Sequence, residues 1–270
     1  MNAARIDAAL DLLRAAAALP APVFSTSFGA EDMVVLDLIR RHALPIAAFT
    51  LDTGRLPEET YRLMQQVEAR YGRCVETFFP DAQAVQRLVA AQGINGFYDG
   101  VAQRRACCAV RKTEPLARAL RGKGAWVTGL RAAQSVTRAA LAPREWHPDY
   151  GLAKFNPLHD WSEAEVWDYL RVRDVPVNEL HARGYPSIGC APCTRAIAVG
   201  EDVRAGRWWW ESPAGKECGL HAGPRPAGAA AGPAASEVEY AAAGRAPVAA
   251  AHASGAPSRA THTLRTEEFP

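Results

Sequence analysis

Five of the six cysteines in this 270-residue chain lie where spacing or surroundings would let sulfur do chemistry. Cys107 and Cys108 are adjacent, and Cys190-Ala191-Pro192-Cys193 is a C-x-x-C pair. Four thiols in two close pairs offer soft donors suited to tetrahedral zinc or an iron–sulfur cluster, while a C-x-x-C alone also serves as a redox dithiol. Structural zinc sites commonly separate the paired ligands by two or more residues. Adjacent cysteines reaching one small ion would crowd the backbone, whereas a cluster gives them separate iron corners. The pattern therefore favours an iron–sulfur cluster, then zinc, then isolated thiols. Cys74 heads an apolar run and reads as a small core residue.

The remaining thiol, Cys218, stands in Lys216-Glu217-Cys218-Gly219-Leu220-His221. A free thiol titrates near 8.5 and the thiolate is the nucleophile, so flanking cations favour reactivity. Lys216 and His221 flank it; His221 could donate to an anionic substrate or assist thiolate formation. Lysine is scarce: Lys112, Lys123, Lys154 and Lys216 are the four among 31 basic residues. Lys112, one turn past the cysteine pair, is placed to act as a compact charge between a cluster and an anion. Arg204 and Arg207, spaced i, i+3, share a face if the segment is helical and would clamp a sulfate or phosphate. Trp208-Trp209-Trp210 reads as packing that anchors the last ordered turn.

The elements that must position these groups alternate. Helical spacing predicts helices over 1–19, 33–41, 58–71 and 81–92; short apolar runs predict strands over 23–24, 45–51, 74–79 and 125–130. Such alternation predicts an α/β fold with a parallel sheet covered on both faces. Ligands bind beyond the carboxyl ends of such strands, at a switch point. Three polar, glycine-bearing segments fall there: 25–32, 52–55 and 128–131. Ser25, Ser27 and Gly29 would hold phosphate; Asp52, Thr53, Arg55, Gly129 and Arg131 would line the rest of the same ligand pocket. Arg138 is a further candidate to reach the anionic ligand, from a stretch, 132–150, with no readable structure. Ser162 and Glu165 form a capping box that opens a further helix.

Composition bounds the rest. Hydrophobic residues make up 49% and charged residues 22%, with a net charge of +2. No global field marks a nucleic-acid binder, and the charged first helix resembles neither a signal peptide nor a membrane span. A cytoplasmic protein is expected. Residues 1–221 read as a single domain, with a nucleotide-binding core over about 20–180 and a cluster and catalytic segment over about 181–221. Residues 222–270, rich in Ala, Gly and Pro, have the composition of a disordered tail.

Taken together, Ser27-Phe28-Gly29-Ala30-Glu31-Asp32, Leu51-Asp52-Thr53-Gly54-Arg55, Cys107-Cys108-Ala109-Val110-Arg111-Lys112-Thr113-Glu114-Pro115-Leu116, Thr128-Gly129-Leu130-Arg131 with Gln134-Ser135, Cys190-x-x-Cys193 and Lys216–His221 resemble the assimilatory adenylylsulfate reductases of the phosphoadenylylsulfate/adenylylsulfate reductase family. The resemblance spans about 23–221. It implies a three-layer, adenine nucleotide α-hydrolase-like fold with a C-terminal segment carrying the catalytic cysteine. It also implies adenosine 5′-phosphosulfate as substrate, sulfite and AMP as products, and a [4Fe–4S] cluster on Cys107, Cys108, Cys190 and Cys193. Thioredoxin, or a glutaredoxin-like dithiol, is the implied donor. The rivals are a reductase preferring the 3′-phosphorylated substrate, an ATP-dependent sulfur transferase or adenylating enzyme on the same fold, and a zinc-stapled binding module. The first loop lacks the Ser-Gly-Gly-x-Asp-Ser pattern of ATP-cleaving relatives, which counts against the second. Cys218 and the nucleotide-type loops count against the third.

Overall fold

A computed structural model describes residues 2–134 and 141–211, all within one compact unit. Six strands form one sheet: β1 (Val23–Thr26), β2 (Ala47–Leu51), β3 (Val75–Phe78), β4 (Ala125–Val127), β5 (Arg144–His147) and β6 (Leu152–Phe155). Their spatial order is β3-β2-β1-β4-β6-β5, parallel throughout except for the antiparallel edge strand β5. The chain runs outward from β1 to β3, then returns to lay β4 on the other side of β1. The β1/β4 junction is therefore the switch point.

Side chains alternate between two cores with the period of two that strands impose. Phe24, Ala48, Val127 and Phe155 face one core, with α1 (Ala3–Ala17), α2 (Ala30–Arg41) and α7 (Glu163–Val172). Val23, Phe49, Trp126 and Leu152 face the other, with Leu116, Ala119 and Leu120 of α6 (Glu114–Leu120). Three layers result. Asp37 of α2 is buried in the first core, where it accepts from Tyr71 and Tyr169 hydroxyls at 2.8 and 2.7 Å and pairs with Arg41. The charge is tolerated there because its oxygens are satisfied.

Two features depart from the expectations. The second helix begins at Ala30, three residues early, because Gly29 enters it from extended backbone without a capping side chain. The β5–β6 hairpin was unread: β6 is four residues long and carries a buried lysine, Lys154, paired with Glu145 at 2.9 Å and set against the Trp126 ring. The capping box is present at α7, with both reciprocal Ser162–Glu165 bonds made. Cys74 lies just before β3, half-buried against the main core. Among the described residues no helix is long and apolar enough to cross a membrane.

Between α4 (Ala82–Gln92) and α6 the chain runs through α5 (Val101–Cys108) and a π-helical turn, Ala109–Thr113. This under-wound turn follows Cys108 directly. Such turns concentrate at functional sites because they re-aim side chains without breaking the helix.

Candidate active site

A cavity of about 410 Å³ opens at the carboxyl ends of the strands, at the β1/β4 switch point. Its floor is the loop after β1. Phe28 there has φ +59° and a buried ring, and its N–H is accepted by Thr26 Oγ1 at 2.9 Å. That bend leaves the first turn of α2 facing the cavity, with Gly29, Ala30, Glu31 and Asp32 on its wall. The first N–H groups of a helix have no intrahelical acceptor, so this wall suits an anion.

The two serines are oriented differently. Trp126 Nε1 donates to Ser25 Oγ at 2.8 Å, so the Ser25 hydroxyl keeps its own proton for an acceptor in the cavity. Ser27 instead donates from both its N–H and its hydroxyl to Asp32 Oδ2, at 2.6 and 2.8 Å. Burial pushes the Asp32 carboxyl up to about 6, against the lowering effect of the Ser27 donors. Gly129, after β4, presses on the same turn: a Cβ there would fall 2.3 Å from Asp32 Oδ1 and 3.0 Å from Asp32 N. Arg131 lines the cavity with its charge engaged by Glu31 at 2.7 Å and its guanidinium donating to the Trp161 carbonyl. His181 also lies on the wall, and burial lowers its pKa, which favours the neutral ring.

Thr53 lines this cavity, but Asp52 and Arg55, expected beside it, do not. Asp52 is committed to its own turn, accepting from Gly54 N–H at 2.8 Å and from the Tyr61 hydroxyl at 2.9 Å. Arg55 points away, donating to Asn95 at 3.1 Å and to the Ile94 carbonyl, with its guanidinium over Phe97. It belongs to a second, smaller cavity.

That second cavity, of about 20 Å³, is lined by all four paired cysteines, Cys107, Cys108, Cys190 and Cys193. Arg55, Arg104, Arg111 and Lys112 line it too, so four cations surround four sulfurs. Phe97, Pro192 and Trp208 supply its apolar walls. Cys107, Cys108, Cys190 and Cys193 are all free thiols. Burial and then the neighbouring Cys190 push the Cys193 thiol up to about 12. Burial also acts to raise Cys190, but Lys112, the Thr53 hydroxyl, Arg207 and Arg111 outweigh it and lower the pKa. The Thr53 Oγ1–Cys190 Sγ distance is 3.2 Å, Arg111 donates to the Thr53 carbonyl at 2.7 Å, and Ala191 N–H donates to the Arg55 carbonyl at 2.8 Å. The turn after β2 is thus tied to the C-x-x-C loop. Among the described residues, no set of three His, Cys, Asp or Glu closes on a single-ion geometry. Four thiols ringed by cations are soft donors of the kind a thiolate-bound metal group requires.

Lys112 lines both cavities, as does Trp208. Arg204 and Arg207 line the larger one, but not from a helix. Residues 202–207 form successive tight turns, Arg207 bridges to Thr194, and a Cβ at Gly206 would fall 2.3 Å from the Arg195 carbonyl oxygen. Docking against the strand-like 194–195 segment overrides the helical spacing. Trp208 is buried and Trp209 half-exposed, in keeping with a packing role. Arg104 and Arg111 were missed in the sequence, although Arg104 precedes Cys108 by four residues, the spacing that puts side chains on one helical face. Cys218, His221, Lys216, Ser135 and Arg138 lie outside the described residues.

A model of the phosphoadenosine phosphosulfate reductase domain matches residues 21–196. The chain belongs to this family. The reductase domain is 61% identical over 215 residues to the adenosine 5′-phosphosulfate reductase of Allochromatium vinosum, covering 79% of this chain and 84% of that protein. It is 58% identical over 198 residues to the Burkholderia cepacia enzyme of the same name, covering 73% and 79%. Among solved structures it is similar to phosphoadenylyl-sulfate reductase from Candida auris in a phosphate complex. There the identity is 28% and the TM-score 0.61, over 70% of this chain and 90% of that one. The reductase domain is accordingly an oxidoreductase acting on sulfur groups, on an adenine nucleotide α-hydrolase-like fold.

Proposed function

We propose that the chain reduces adenosine 5′-phosphosulfate to sulfite and AMP in sulfate assimilation, with Cys218 as the nucleophile. The Cys218 thiolate attacks sulfur, the bond from sulfur to the bridging phosphate oxygen breaks, and AMP leaves with the electron pair. Cys218 is left as an S-sulfonate. A thiolate of thioredoxin, or of a glutaredoxin-like dithiol, then attacks the Cys218 sulfur. Sulfite departs with the electron pair of the broken S–S bond, and a mixed disulfide remains. The donor's second thiolate resolves it, so the donor loses two electrons and the substrate sulfur gains two.

The observation that carries this reading is Lys112, common to the walls of both cavities. A phosphosulfate lying in the larger cavity with its phosphate near the start of α2 would direct its sulfate toward Lys112, Arg204 and Arg207. Their charges would draw the anion in and would favour electron density moving onto the leaving oxygen. Ser25 would donate to a phosphate oxygen. Cys107, Cys108, Cys190 and Cys193 would hold a [4Fe–4S] cluster, which when bound supplies a fixed charge centre beside the substrate rather than electrons. Arg55 and Arg111 would offset its charge, and Lys112 would stand between it and the sulfate.

The test is sulfite release by anaerobically purified protein with thioredoxin as donor. Cys218→Ser should release none while still binding AMP; retained turnover would remove the nucleophile. Full activity in an iron-free preparation would remove the cluster. A kcat/KM favouring the 3′-phosphorylated substrate would overturn the choice of adenosine 5′-phosphosulfate.

A further inference from the structure

The Arg104 side chain of α5 is fully buried, and that of its partner Glu211 is nearly so. The two meet side-on, with Nε to Oε1 and Nη2 to Oε2 both at 2.8 Å. We infer that this pair is a positioning pair for Cys218: it pins the root of the terminal segment to the helix that carries Cys107 and Cys108. The inference rests on the reading of Cys218 as nucleophile.

Three observations converge on that role. Trp208, held at φ +42° and buried, has the Arg104 guanidinium over its ring at 4.6 Å and that of Arg207 at 5.0 Å. Its N–H donates to the Cys193 carbonyl at 3.1 Å, and the Glu211 N–H donates to the Trp208 carbonyl at 2.8 Å. Arg104 also lines the smaller cavity beside Cys108, four residues on. One guanidinium therefore lies over an aromatic shared by both cavities, lines the cysteine cavity, and grips a carboxylate seven positions before Cys218. A buried ion pair is a weak device for stability, since apolar replacements often do as well or better. Its directional fork fixes geometry instead. Cys218 follows Glu211 by seven chain steps, so its Cα lies at most about 25 Å from that root. Attack requires sulfur and thiolate to approach within roughly 3.5 Å in line, which a wandering root would make rare.

The experiment uses cluster-loaded full-length protein carrying Glu211→Gln. In single turnover with adenosine 5′-phosphosulfate and no donor, mass spectrometry follows S-sulfonation of Cys218. The rate should fall about 10²-fold, with AMP affinity and iron content unchanged. Tryptic cleavage after Lys216 should accelerate roughly tenfold as the root is released. Arg104→Lys, which keeps the cation and loses the fork, should give a milder form of both effects, and decides the matter if Glu211→Gln does not fold. An unaltered S-sulfonation rate and cleavage rate would overturn the inference, as would loss of iron from both variants. Absence of S-sulfonate on Cys218 in the unmodified protein would instead sink the nucleophile, and the cleavage rates would still test the anchor.

Discussion

The larger cavity is walled by backbone and short polar side chains; the smaller one is walled by sulfur and long cations. Consecutive loops at strand ends build the first, and its shape depends on close approaches such as Gly129 to Asp32. Segments as far apart as Arg55 and Trp208 build the second, where burial and the neighbouring Cys190 raise the Cys193 pKa. The first is therefore preformed. The second gathers four thiols and four cations from segments distant in the chain.

Breaking the smaller cavity should produce the largest effect. Cys193→Ser should lose its iron and its sulfite release together, while AMP affinity, measured by calorimetry, changes less than about twofold, as expected for separated sites. Equal loss of AMP binding would mean that the two cavities are one. Lys112→Ala addresses their junction: kcat/KM for the phosphosulfate should fall about 10²–10³-fold, as for loss of one preorganised charge-stabilising donor. AMP, which lacks the sulfate, should bind nearly as before. Gly129→Ala should act on the larger cavity alone. Overpacking against Asp32 costs about 1–3 kcal/mol, so AMP affinity should fall roughly tenfold with iron content intact.

Asp32→Asn should change turnover least and the pH profile of stability most. The Asp32 pKa is raised from 3.8 to about 6 by burial, so its proton binds more tightly in the folded state. The associated stability is fully present below pH 3.8 and is lost as pH rises through about 6. That loss amounts to at most about 3 kcal/mol. Urea midpoints measured from pH 4 to 7 should flatten in Asp32→Asn; a profile parallel to that of the unmodified protein would refute the assignment.

The contrast between the cavities also explains what the sequence disclosed. The helix over 58–71 was legible because Tyr61, Met64 and Val67 recur at helical spacing, and it occupies those residues in the structure. The switch-point loops were legible because glycine and hydroxyl residues follow apolar runs. The four cysteines were legible as pairs, and they do face one cavity. Asp52 and Arg55 lie off the larger cavity because position after a strand does not fix where a side chain points: one carboxylate closes its own turn, and one guanidinium stacks on Phe97. Arg204 and Arg207 reach the expected cavity from turns rather than a helix, since tertiary contacts with 194–195 outweigh local periodicity. The β5–β6 hairpin escaped notice because its four-residue strands carry charged side chains whose pairing only the folded sheet supplies.

The π turn at Ala109–Thr113 has a hereditary consequence. It absorbs an irregularity of phase between the cysteine pair and α6, whose Leu116, Ala119 and Leu120 pack under the sheet. Deleting one residue from 109–113 would rotate everything downstream by about 100° relative to Cys107 and Cys108. Lys112 and the sheet-facing leucines could not then both be right. Substitutions in this stretch can drift one at a time, but its length cannot, and alleles that shorten it should vanish as misfolded protein rather than survive as slow enzymes.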